Sequence, residues 1–286
     1  MIYLRALSSL PFGGMVLMLG ALMLMPGTPG HAQSQALPAG TVFRDCADCP
    51  EMVVIPPGDF TMGRPNNLAR EAPPTPVVIR KPFAISRFEV TIAQYEACVT
   101  AGGCYARSRT DNARDARRPN RENLPITMVS MLDFRLYLAW LSGKTGQYYR
   151  FPSEAEWEWA ASGGLDAPNW WGGGNVLPET ANCNDCPGEY WMNYAPVGQF
   201  PPNPFGLHDM LGNVSEYVAD CWFDTHAGHP GTETARQPCD GYLRTLRGAS
   251  WFTQPKYVSR QYRRRYPFSS SSNLFGLRLV RELAVE

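Results

Sequence analysis

The chain has no excess of charge of either sign, with 26 Lys and Arg against 26 Asp and Glu, and only four histidines among its 286 residues. That balance gives no bulk-charge basis for binding nucleic acid or an anionic membrane. The histidines beyond the first segment, His208, His226 and His229, form no spacing typical of a histidine iron site. His226-Ala-Gly-His229 reads instead as exposed polar residues of a Gly/Pro-rich loop. No repeat and no low-complexity linker divides the sequence, which argues against a solenoid or a tandem array. No cysteine follows Cys239, so the C-terminal segment can supply no thiol chemistry of its own.

What is present begins with a leader. Arg5 precedes an apolar run from Ala6 to Met25, broken by Pro11 and glycines, and Gly30-His31-Ala32 puts small residues at the −3 and −1 positions of a cleavage site. Residues 1–32 are therefore expected to be a signal peptide and residues 33–286 one exported domain, periplasmic or secreted, with no stable membrane anchor after cleavage. An uncleaved anchor is the alternative, since the run is long enough to span a membrane. No cysteine near the site favours a lipid anchor. The 26 Gly and 26 Pro, with many aromatics, point to an ordered, loop-rich fold.

Eight cysteines in an exported chain imply disulfides, because thiols pair and persist in oxidising compartments. They fall into four sequence-local couples: Cys46 with Cys49, Cys98 with Cys104, Cys183 with Cys186, and Cys221 with Cys239. Proximity alone suggests these pairings among the 105 possible. The two Cys-x-x-Cys couples are alternatively half-sites for zinc, or a redox motif at Cys46.

Local patterns place the elements. Met52–Ile55 and Asp59–Met62, separated by Pro-Pro-Gly, read as a hairpin, and Phe83–Val90 as a further strand. Capping boxes at Thr91-x-x-Gln94 and Ser153-x-x-Glu156 open two helices. Between them Ser130 caps a helix with Phe134, Leu138 and Leu141 on its buried stripe. Arg107 to Asn123 reads as a surface loop. Glu154, Glu156 and Glu158 read as capping and solvated residues, and beyond Trp170 only short strands such as Tyr242–Arg247 and Gly276–Val280 stand out.

Three segments carry a resemblance: Phe151-Pro-Ser-Glu-Ala-Glu-Trp-Glu-Trp-Ala-Ala161, Asn203-Pro-Phe-Gly-Leu-His-Asp-Met-Leu-Gly-Asn-Val-Ser-Glu-Tyr217 and Arg247-Gly-Ala-Ser-Trp251. With Glu51–Gly63 and Gly276-Leu-Arg278, they make the chain similar, over nearly its whole mature length, to the formylglycine-generating enzyme, or sulfatase-modifying factor, family. The resemblance implies a compact, loop-rich α+β domain related to variant C-type lectin folds. Ser215, Tyr217 and Leu277 depart from the family's usual aromatic residues.

The resemblance also implies structural calcium, for which hard oxygen ligands are suited. One site would use Asp209, the carbonyls of Gly212 and Val214, and Glu216; a second would use Asn182, the carbonyl of Cys183, Glu189 and the carbonyl of Trp191. On the plainer reading, Asp209 and Glu216 bond to turn amides. In the family's active members two cysteines hold copper(I), which favours soft thiolates. Thr253 and Val258 stand at those positions here, which argues against copper and against the known formylglycine-generating reaction.

Around the expected pocket remain Ser250, Trp251, Tyr257, Arg260, Asn273 and Arg278, with Tyr262, Arg263, Arg264, Arg265 and Tyr266 between them. Guanidinium groups interleaved with tyrosines suit an anionic or aromatic ligand, or form a solvated basic loop. The leading functional expectation is an exported family member that matures a peptide, a protein or a secondary metabolite. A precedent in kind is the family member of pyoverdine maturation in the bacterial periplasm. A non-catalytic ligand- or protein-binding module is the alternative, and sulfatase activation a third.

Overall fold

The computed structural model describes residues 37–65, 68–172, 179–186, 188–190 and 192–283. The expected signal peptide lies outside them. In chain order the elements are β1 (Val42–Phe43), β2 (Met52–Ile55), β3 (Gly58–Met62), β4 (Thr75–Ile79), β5 (Phe83–Ser86), α1 (Ile92–Thr100), α2 (Arg109–Asp115), α3 (Met131–Thr145), β6 (Tyr149–Arg150), α4 (Glu154–Ser162), β7 (Ser215–Cys221), β8 (Leu243–Arg247), β9 (Arg263–Pro267), β10 (Phe275–Gly276) and β11 (Val280–Arg281). They form the α+β domain that the resemblance implied.

The strands make three sheets, ordered β1-β2-β5-β11-β6, β10-β7-β8-β9 and β3-β4. The Pro-Pro-Gly hairpin is thus corrected. Its two strands exist but do not pair: β2 lies antiparallel to β5, with Val53 opposite Ile85, while β3 pairs with β4. β2 is buried on both faces, Met52 packing in one core and Val53 and Ile55 in the other. That is why its sequence is an unbroken apolar run without alternation.

Local signals fixed the helices. Thr91, Ser130 and Ser153 each cap their helix through a reciprocal box, with Gln94, Asp133 and Glu156 respectively, which satisfies orphan donors at the first turn. Phe134, Leu138 and Leu141 are buried as the stripe required. The surface loop expected at Arg107–Asn123 is also corrected, because Ser108 caps α2 and Arg107 is buried against Asp115 at 2.8 Å. The strand expected over Gly276–Val280 is two separate pieces, β10 on β7 and β11 between β5 and β6.

All eight cysteines are paired, in the four local couples, and no thiol is free. Among the described residues, no helix is long and apolar enough to cross a membrane.

Candidate functional site

Gly212–Glu216, Gly248–Trp251 and Asn273–Arg278, far apart in sequence, are hydrogen-bonded into one junction. The Trp251 amide donates to the Asn213 carbonyl at 2.8 Å, and its indole N–H donates to the Asn273 carbonyl at 3.0 Å. The Ser215 amide donates to Leu274, and its hydroxyl to Gly248. Gly212, at φ +111°, passes so close to the Asn182 carbonyl that an added Cβ would lie 2.5 Å from it. Asp209 and Asn213 are both left-handed, at φ 58° and 57°, a conformation that only short polar side chains adopt at modest cost.

At this junction Thr253 and Val258 occupy the places implied for copper. Thr253 Oγ1 accepts from the Ser250 amide at 3.0 Å and closes a turn, while Val258 is buried in an apolar core. A hydroxyl and an isopropyl group offer no soft ligand. Ser250 is fully buried, Trp251 nearly so, and Phe252 is exposed beside it.

Behind the junction lies an acid-rich network. Glu216 accepts from the Trp157 indole at 2.5 Å and from Arg278 Nε at 2.9 Å. Arg278 also donates to the carbonyls of Ser86 and His208, so its fork is fully used. Beside it Asp209 Oδ2 accepts from the Gly198 amide at 2.6 Å, and Glu89 Oε1 accepts from Asn213. Asp209 Oδ1 and Glu89 Oε2 are buried with no donor, and the charge of Asp209 acts on Glu89. Three carboxylates thus share one guanidinium. Burial pushes Asp209 up to about 6, and burial followed by the Asp209 charge drives Glu89 well above the usual carboxylate range. Glu216 is raised by burial as well, against the pull of Arg278.

On the other side of Trp157 lies an arginine-rich network. Glu154 receives Arg263 through Nε and, at 2.9 Å, through Nη2, and Arg247 approaches it at 3.4 Å. Glu158 takes Arg247, Arg260 at 2.9 Å and the Gly63 amide at 2.9 Å. Burial alone would raise Glu154, but the Arg263 and Arg247 charges prevail and hold it down to about 2. The solvated glutamates expected on α4 are therefore corrected: every residue of the helix is buried, and Glu156 pairs with Arg150 at 2.7 Å. Trp157 is the wall common to both networks, its N–H on Glu216 and the Arg247 guanidinium 5.2 Å over its ring.

The expected pocket is not gathered as the sequence suggested. Arg260 and Arg278 are 2 % and 0 % exposed and face inward, whereas Tyr257 is half-buried and stacks on Tyr262. Asn273 contributes its carbonyl to Trp251. His226 is also corrected from exposed to buried, and burial pushes it down to about 3. Of the second calcium set, Asn182 is buried and donates to Asn193 and Asn213, Cys183 is disulfide-bonded, Glu189 is exposed, and Trp191 lies outside the described residues. Among the described residues, no three His, Cys, Asp or Glu side chains converge as a metal site. Glu89 was missed entirely. A charged residue ending an apolar strand just before a helix cap was the only local hint.

A family model described as the sulfatase-modifying factor enzyme 1-like domain matches residues 38–283. The formylglycine-generating enzyme of Thermomonospora curvata is 32% identical over 263 residues, covering 73% of this chain and 85% of that protein. The inactive C-alpha-formylglycine-generating enzyme 2 of Mus musculus is 30% identical over 253 residues, covering 72% and 75%. Among solved structures, PvdO from Pseudomonas aeruginosa superposes with a TM-score of 0.77 at 37% identity, covering 87% of this chain and 100% of PvdO.

Proposed function

Because the chain belongs to the sulfatase-modifying factor enzyme 1-like family, we propose that it is an exported member acting in maturation or oxidative tailoring of a peptide, protein or secondary metabolite, without copper–cysteine chemistry. The observation that carries this reading is the state of its sulfur: all eight cysteines are in disulfides, and Thr253 and Val258 replace the expected thiols. Four disulfides also support an oxidising compartment. With copper(I), oxygen and a sulfatase-type cysteine peptide, mass spectrometry is expected to find no formylglycine. Copper-dependent aldehyde formation would overturn that part. In the native host, loss of the gene is expected to leave a less oxidised precursor among exported products, restored by the wild-type chain.

An unchanged product profile would favour the second reading, a non-catalytic binding module. Its support is the likeness to a relative described as inactive.

Structural calcium belongs to the same proposal. The donor set fits in part: Asp209 Oδ1 and Glu89 Oε2 are hard, buried oxygens without a donor. Asp209, with the carbonyls of Gly212 and Val214, would hold the ion. Glu216 would join only by loosening its bonds to Arg278 and Trp157.

A further inference from the structure

An open cleft of about 640 Å³ lies along β9, the outer strand of the four-stranded sheet, on the side of the 3-10 turn Ala69–Glu71. Its lining holds four arginines, Arg70, Arg263, Arg264 and Arg265, against one acid, Asp224. Arg263 forms the floor: held from behind by Glu154, it donates to the carbonyls of Arg70 and Phe223 and so ties the two walls together. Arg70 and Arg264 meet no carboxylate among the described residues, and Arg70 Nε is a buried donor without an acceptor. The Arg70 guanidinium therefore keeps donor capacity that no described residue uses. Among the described residues Arg265 has one carboxylate partner, exposed Asp224 at 2.9 Å, which an incoming carboxylate can replace.

The aromatic rings here already carry guanidinium groups. Arg70 lies 5.5 Å over Tyr262, Arg264 5.4 Å over Tyr266, and Arg263 and Arg265 4.7 and 5.6 Å from Trp222. The rings thus hold the guanidinium planes in place and leave little face for a flat aromatic ligand, whereas the forks suit carboxylates. Side chains from both faces of β9 line the cleft, so a ligand lies along the strand edge. Arg264 and Arg265 are consecutive and point to opposite faces of β9, so a ligand that meets both runs along the edge in an extended form.

We infer that this cleft binds an extended acidic peptide, with carboxylates on Arg70, Arg264 and Arg265. The inference stands whether or not the protein turns a substrate over, since binding is read directly. The test is fluorescence anisotropy of a labelled peptide alternating Glu with Ser, with its Gln counterpart as comparator. The Glu peptide is expected to bind and to weaken with added salt. The Arg70→Ala/Arg264→Ala double variant should lose about tenfold or more in affinity, while Lys81→Ala, at an exposed site elsewhere, should not. Arg70→Lys/Arg264→Lys keeps the charge and the fold, and is expected to lose part of the affinity with the forks. Equal binding of the Gln peptide, or wild-type affinity in a double variant with an unchanged melting temperature, would overturn the inference. Displacement by acetate or phosphate as readily as by unlabelled peptide would also overturn it, in favour of a small-anion site.

Discussion

The two networks on either side of Trp157 are equally buried and oppositely balanced. Glu154 and Glu158, both at 0 % exposure, share three arginines, and Glu154 is held down to about 2. Asp209, Glu89 and Glu216, at 7 %, 1 % and 1 %, share Arg278, and Asp209 rises to about 6. Burial costs a carboxylate its hydration in both places. What differs is the number of guanidinium groups within reach. Where arginines outnumber acids Glu154 is held as a counter-charge and the network acts as a structural tie, although Asp220, which accepts from the Glu154 amide at 2.6 Å, is pushed up to about 7 by burial and the Glu154 charge. Where acids outnumber arginines burial raises the carboxylates, and that half of the molecule is where ion-dependent behaviour should be sought.

The largest expected effect comes from unbalancing the arginine-rich side. Glu158→Gln leaves Arg247 and Arg260 buried without their shared counter-charge, and is expected to cost about 3–5 kcal/mol in urea unfolding, as for other broken buried pairs. A loss under about 1 kcal/mol would erase the distinction between the two networks. Next is calcium on the acid-rich side. If the ion binds only the folded state, free calcium at about 100 times Kd contributes about 2.7 kcal/mol. Chelation should then lower the melting temperature by about 5–10 °C. Asp209→Asn should abolish the response and Glu216→Gln should blunt it. A protein shown to contain calcium that melts unchanged after chelation would count against a structural ion.

A third measurement separates the networks by pH in cation-free protein. Asp209 has a folded value of about 6 against an ordinary 3.8, so the folded state holds the extra proton in that window. Its contribution to stability falls as pH rises from about 4 to about 6 and then levels. Glu154 runs the other way: at about 2 against 4.5, its contribution is full above about 4.5 and is lost as pH falls through about 2. Melting curves of the wild type and Asp209→Asn should therefore diverge between about pH 4 and 6, the variant gaining relative to the wild type as pH rises. Parallel curves would mean that Asp209 titrates normally. The smallest effect is at the exposed Arg265–Asp224 pair, where Asp224→Asn should change stability by less than about 1 kcal/mol. A larger loss would show that balance matters outside the buried interior as well.

Features with local causes were legible in the sequence. The capping boxes at Thr91 and Ser153 and the cap at Ser130, which proves to be a third box with Asp133, act over four residues, and the disulfide couples close short loops, from Cys46–Cys49 to Cys221–Cys239. Two of the motif segments, 203–217 and 247–251, meet at the junction of Asn213 and Trp251, although their contact was not foreseen. Pairing between distant segments was not legible. β2 and β3 adjoin in sequence but join different sheets, and Glu154 finds Arg263 at a separation of 109 residues. The Arg-rich stretch from Arg260 to Arg265 therefore looked like a single basic surface, although Arg260 and Arg263 point inward and Arg265 outward. One usable signal lay in α4. Trp157, Trp159, Ala155, Ala160 and Ala161 fill most of its surface and leave only the narrow stripe of Glu154, Glu158 and Ser162 at i, i+4 spacing, so most of the helix had to be covered. Its glutamates therefore needed distant cations.

Trp157 gives the interior a single fate. Its indole N–H and its ring face belong to different networks, so neither charge cluster can open to solvent without disturbing the same side chain. The ring thus stands between the acid-rich carboxylates and the arginines, and that second cluster extends through Glu154 and Arg263 to the floor of the cleft beside β9.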